Sequence, residues 1–131
     1  MQNWIVPCNL KFYDVFGAFT HLSKIDWKQS SKGIEEGDMV YLYVSSPIRA
    51  IMFKCRVTKA HMDHLEIDDS AYYKNGHRDF EEYPVHMQLE LVDKYDSQRF
   101  PAAKLAEHGM KGNVQCQRRM EDSVLEFIMQ K

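Results

Sequence analysis

IDWKQSSKGIEEGDMVYLYVSSPIRAIMFKCRV, residues 25–57, decides the fold of this chain. It sets Trp27 beside Lys28, Gln29 and Ser30, then passes through the turn Glu36-Gly37-Asp38 into two strand-like runs. In the first run, Met39 to Ser45, Val40, Leu42 and Val44 point one way and Met39, Tyr41 and Tyr43 the other. Large side chains on both faces predict a central strand covered on both sides. Ser45-Ser46-Pro47 is turn chemistry, and Ala50 to Lys59 returns as a second strand, predicting an antiparallel hairpin.

Upstream, Trp4-Ile5-Val6 reads as a short strand stopped at Pro7, which has no N–H to give a ladder. Asn9 stands where a helix N-cap belongs. Phe12, Val15, Phe16, Phe19 and Leu22 recur at helical spacing, predicting an amphipathic helix from about Leu10 to Ser23. Downstream, residues 60–84 form a polar stretch with Tyr72, Tyr73 and Phe80 among its acids. A connection of that length with interleaved aromatics predicts an ordered flap, with Leu65-Glu66-Ile67 as a short strand inside it. His86 to Lys94 reads as a strand with Met87, Leu89 and Leu91 on one face. Phe100 and Pro101 open a short helix that Gly109 ends as the C′ residue. A last strand is expected around Asn113 to Gln115, and a closing helix over Glu121 to Met129 with Val124, Leu125 and Ile128 inward.

Composition narrows the classes. A chain of 131 residues fits one domain, 1–131, and 44% hydrophobic with 12% aromatic residues supplies a core without staples. A formal charge of −2 advertises no global basic field, so nucleic-acid binding has to rest on a local patch such as Lys111, Arg118 and Arg119. Cys8, Cys55 and Cys116 are odd in number, far apart and without a CxxC pair, which points to reduced thiols in a cytoplasmic protein. No apolar leader core and no membrane-length apolar run is visible, so no membrane partner is expected.

The candidate site starts at Trp27. A tryptophan followed by an amide and a hydroxyl suits the wall of a pocket for a flat ring, with Gln29 and Ser30 reading its edge. Trp27 alone fits a core position equally well; Lys28 and Gln29 beside it favour the pocket. A flipped base is held by stacking and by hydrogen bonds to its Watson-Crick edge, and Trp27, Gln29 and Asn9 offer that set. Asn9 serves equally as a helix cap. His61, Asp63 and His64 lack a well-placed third ligand and read as loop residues, so no metal is expected. Cys55 shares a strand face with Phe53 and reads as a small buried hydrophobe.

NWIVPCN, DWKQS, EGDMVYLYVSS, IMFKCRV and HGMKGNVQCQRR together resemble the PUA-like superfamily, and within it the EVE domains, relatives of the YTH and ASCH domains. The resemblance implies an α+β fold on a small mixed, barrel-like sheet flanked by helices. Against the YTH pattern, Trp27 corresponds to the cage tryptophan, Lys28, Gln29 and Ser30 to the polar segment after it, and Pro7-Cys8-Asn9 to the contact segment. No lysine-serine pair precedes the helix and no second tryptophan follows the hairpin; Tyr72 or Tyr73 stands in for the latter. The implied function is a binding module, not an enzyme and without cofactor, for a modified or flipped base, in DNA first and RNA second. The alternatives are a small ASCH-like amidohydrolase acting on a modified nucleoside, which needs a carboxylate beside Lys28 or Lys11, and a protein-interaction module using the 60–84 flap.

Overall fold

The computed structural model describes residues 1–74 and 83–130. Among them six strands make one sheet: β1 (Asn3–Cys8), β2 (Lys24–Lys28), β3 (Met39–Val44), β4 (Ala50–Met62), β5 (His86–Lys94) and β6 (Arg118–Arg119). Their order is β2-β5-β4-β3-β1-β6. β1 and β3 run parallel; every other pair is antiparallel. Among the described residues three helices, α1 (Val15–His21), α2 (Ala102–Glu107) and α3 (Asp122–Met129), and one 3-10 turn at Ser70–Tyr72 accompany them.

The alternation in β3 acts as the sequence predicts. Val40, Leu42 and Val44 join a cluster with Trp4, Val6, Trp27, Cys55, Val57 and the α1 residues Val15, Ala18 and Phe19. Tyr41 and Tyr43 enter a second cluster on the opposite face with Ile5, Phe100, Leu105 of α2 and Val124 and Ile128 of α3. A strand buried on both faces must be dense in large apolar residues, which is why this one is readable from sequence. The hairpin with β4 and the strand β5 likewise form, and Gly109, at φ +105, ends α2 as expected.

Several expectations are corrected. β1 runs through Pro7 and does not stop there. Met39 N donates to Gln2 O and Ser45 N to Cys8 O, so even-numbered residues of β1 face β3. Pro7 therefore turns its missing N–H toward β6, whose ladder covers only Trp4 and Ile5. The first helix starts at Val15, capped by Asp14, whose carboxylate accepts Gly17 N–H at 3.0 Å. Residues 9–13 make a separate turn in which Asn9 O accepts the N–H groups of Phe12 and Tyr13, and Asn9 Oδ1 accepts Lys11 N–H at 2.9 Å. An asparagine side chain competing for nearby backbone is the reason the helix is delayed. Trp27 lies on an edge strand, β2, that sequence periodicity does not reveal. Leu65-Glu66-Ile67 is loop, its amides at 66 and 67 caught by the buried Asp26 carboxylate. Residues 113–115 are also loop, and the last strand is Arg118–Arg119. Of the expected flap, Asn75-Gly76, Asp79, Phe80, Glu81 and Glu82 lie outside the described residues.

The expected barrel-like closure is absent, because no ladder joins the edge strands β2 and β6. At one end the edges still meet. Gln117, just before β6, donates from Nε2 to Lys28 O at 2.8 Å and accepts the N–H groups of Ser30 and Ser31 at Oε1, at 2.9 and 3.2 Å. A curled, open sheet locked by one amide is the frame of the site. No described helix is long and apolar enough to cross a membrane.

Candidate functional site

The curl leaves a cavity of about 470 Å³ at the carboxyl ends of β1, β2 and β3. Pro7, Cys8, Asn9 and Phe12 supply one wall, Trp27, Lys28 and Ser30 a second, and Ser45 with Val114 to Gln117 the rest. The parallel pairing of β1 with β3 brings Cys8 and Ser45 to the same end, and the Gln117 bridge carries the 114–117 segment over to β2.

Trp27 is only 1% exposed, so a rim of its ring reaches the cavity while the rest is core. Tyr13 packs edge-on against it, ring centroids 5.0 Å apart at 85°, and the Tyr13 hydroxyl donates to Asp69 Oδ2 at 2.8 Å. Burial, together with the Asp69 charge, raises the Tyr13 pKa and keeps that hydroxyl a donor. Behind the tryptophan, then, stands a fixed chain of partners that sets its angle. Phe12 is half-buried and is the more accessible aromatic ring of the lining; Lys11 Nζ lies 5.6 Å from its centroid. Cys8 is fully buried, and burial pushes its thiol up to about 12, so it is neutral packing and no nucleophile at physiological pH. Cys55 is equally buried and its pKa is raised for the same reason, in line with its reading as a small hydrophobe.

Of the residues the sequence singles out, the cavity brings together Asn9, Trp27, Lys28 and Ser30. Pro7 and Cys8 line it beside Asn9. Gln29 does not. It is 4% exposed, donates from Nε2 to Ser31 O and Ile34 O, and accepts His61 N–H at 2.8 Å. Its amide is spent on holding the turn that leads to β3, so no edge is left to read a ligand. Tyr72 packs beside α1, its ring 6.4 Å from that of His21 and nearly parallel to it. Tyr73 leans on Tyr13 at 5.5 Å, so both tyrosines sit behind the cavity wall and neither lines it.

The expected phosphate patch is also arranged differently. Arg118 Nη2 donates to Lys111 O at 2.8 Å and lies 4.0 Å from Glu121, whose carboxylate also accepts Lys111 N–H. Arg118 pairs with Ile5 in register, on the face of the second core cluster, and Arg119 with Trp4 at the edge. These three cations do not line the cavity. Those that do accompany it are Lys28 in the lining, Lys11 over Phe12, and Lys74, close enough to lower the Cys8 pKa against the larger effect of burial. Sequence reasoning missed Phe12, Ser45 and Val114 to Gln117; the turn signals Gly109 and Gly112 were the available hint that this stretch is loop.

Among the described residues no group of three His, Cys, Asp or Glu side chains could hold a metal. His61 pairs with Glu35 at 2.8 Å, and His64 lies between Asp63 and Glu66 at 2.8 and 3.1 Å.

Solved structures share this architecture. The crystal structure of ASCH from Zymomonas mobilis superposes with a TM-score of 0.63 at 10% identity, over 97% of this chain and 93% of that one. A Pseudomonas putida protein solved by structural genomics matches at TM-score 0.63 and 17% identity, over 96% of each chain. A Rhodopseudomonas palustris protein matches at TM-score 0.51 and 10% identity, over 83% of this chain and 72% of that one. This chain shares the α+β fold of these structures. No protein-family profile and no curated protein matches it.

Proposed function

We propose that the chain is an EVE-like binding module that takes a modified or unpaired nucleobase of a nucleic acid, DNA in first place and RNA second, into the 470 Å³ cavity. The observation that carries this reading is the lining itself: one accessible ring, Phe12, a tryptophan rim, and short polar groups on Asn9, Ser30, Ser45 and Gln115, with Lys28 as the cation and no carboxylate among the described residues. The volume lies in the range of small-molecule sites. Stacking on Phe12 supplies roughly 1–3 kcal/mol per base. Asn9 Oδ1 is committed to Lys11 N–H, which leaves its NH2 as a donor toward an acceptor on the base edge. The amidohydrolase alternative needs an acid or base partner for the lysine. In the described lining the Cys8 thiol is neutral and is no nucleophile, which supports binding over reaction.

The test is a titration of the four common nucleosides, 5-methylcytidine, N6-methyladenosine and their deoxy counterparts, followed by tryptophan fluorescence, with Phe12→Ala as the cavity variant. Saturable binding lost in Phe12→Ala supports the reading; hydrolysis of any member would move it to the enzyme class.

A further inference from the structure

A second cavity of about 430 Å³ adjoins the first. No lining residue is common to the two, but their linings are neighbours in the chain. The β3–β4 turn gives Ser45 to the first and Arg49 to the second, and the segment after α2 gives Val114 to the first and its chain neighbour Asn113 to the second. Tyr43 and the exposed Ala106 face of α2 make the apolar side of the second cavity.

Arg49 is the cation of this cavity. It is exposed and sits at φ +52, a left-handed conformation that a residue other than glycine adopts at a cost. Its backbone is tied at both ends, its N–H donating to Ser45 O and its C=O accepting Ala102 N–H at 2.8 Å. The turn and α2 thus fix the Arg49 backbone at the wall of this cavity. In a chain with 19 acidic and 17 basic residues, neither adjoining cavity has a carboxylate in its described lining. Two other surface depressions among the described residues contain Glu35, Glu36 and Asp38, and Asp122 and Glu126. Neighbouring cavities whose described linings hold no acid, the second with Arg49 at its edge, complement a polyanion of linked flat units.

We infer that the second cavity is a subsite for the nucleotide adjoining the one read in the first, with Arg49 on the phosphate of a single-stranded nucleic acid. The inference rests on the nucleobase reading above. It assigns a phosphate contact away from Lys111, Arg118 and Arg119.

The experiment compares mononucleotides with trinucleotides carrying the same central base, drawn from the nucleoside panel above in deoxy and ribo forms, on the wild type, Arg49→Gln and Ala106→Glu. The trinucleotide should bind the wild type about tenfold tighter or more. Arg49→Gln should remove that gain, leave mononucleotide affinity unchanged and flatten the log–log salt slope by about 0.7. Ala106→Glu, an exposed helix position, should weaken the trinucleotide alone by like-charge repulsion. Equal mononucleotide and trinucleotide affinities in the wild type, or a gain that survives both substitutions, would overturn the subsite and leave the first cavity's reading standing. Failure of every mononucleotide and trinucleotide to bind would overturn both. The deoxy and ribo arms show which polymer is preferred.

Discussion

Gln117 Oε1 accepts the N–H of Ser30 at 2.9 Å, although the residues stand 87 positions apart, and so ties one edge of the sheet to the other. The same amide donates to Lys28 O, so a single side chain satisfies three backbone groups that no ladder reaches. The three groups are exposed or part-buried, so each bond contributes about 0.5–1.5 kcal/mol net.

Gln117→Ala should therefore lower stability by about 1–3 kcal/mol and weaken nucleoside binding, since the 114–117 wall is held to β2 by this amide. Gln117→Glu keeps the acceptor, loses the donor and should fall between. Urea denaturation beside a nucleoside titration measures both. An unchanged midpoint in Gln117→Ala would mean that the edges hold without it.

Trp27 and Phe12 should separate stability from binding. Trp27→Ala removes a ring that is 1% exposed and should cost about 3–5 kcal/mol. Phe12→Ala removes a half-buried ring at the cavity and should cost less in stability while losing the stacking contribution of roughly 1–3 kcal/mol. Thermal melts recorded with each titration decide it. A Phe12→Ala protein with wild-type affinity would remove Phe12 from the site.

Asp69 gives a pH signature. Burial, aided by the charge of Asp26 and opposed by the Tyr13 hydrogen bond, raises its carboxyl to about 6. With the folded value above the unfolded one, the native state holds an extra proton between about pH 4 and 6. Raising pH through that window costs stability, of order 3 kcal/mol in all. Asp69→Asn keeps an acceptor for Tyr13 and loses this dependence, so it should match the wild type near pH 4 and exceed it at pH 7. The readout is the difference between the two stability profiles, and parallel profiles would contradict the assignment.

Asp38 should act in the opposite direction. Burial opposes its ionisation, yet the N–H groups of Gln2 and Glu35 and Trp4 Nε1, at 2.9–3.0 Å, hold its carboxyl below the usual value. Its contribution is present at neutral pH and is lost as pH falls below about 4. Asp38→Ala leaves three donors bare and should cost about 3 kcal/mol at pH 7. Asp38→Asn, which retains one acceptor oxygen, should cost less. Chemical denaturation at pH 7 and pH 3 distinguishes the two.

What the sequence discloses depends on how local the cause is. β3, β4 and β5 are readable because neighbours in the chain share one environment and alternate accordingly. β2 escapes because Asp26 looks like a surface residue, yet it is buried to receive the amides of residues 66 and 67, far along the chain. Asn9, Trp27, Lys28 and Ser30 were recognisable as a group, since each is a residue type suited to a pocket. Gln29 has equally suitable chemistry, and only the fold shows that Ser31, Ile34 and His61 consume it. The wall from Val114 to Gln117 carries no periodicity, and its placement depends on a bond to Ser30 that no window of sequence contains.

The parallel pairing of β1 with β3, with Gln117 reaching back to β2, means that no contiguous fragment of the chain holds the site. Walls drawn from residues 7–12, 27–30, 45 and 114–117 exist only once the whole sheet has formed, so during synthesis the cavity is among the last features to appear. An occupant at a hundred times its dissociation constant would add about 2.7 kcal/mol to the stability of the entire sheet at once. Ligand capture is then a certificate of complete folding, and a melting shift should report occupancy from any probe in the sheet, however far from the cavity it lies.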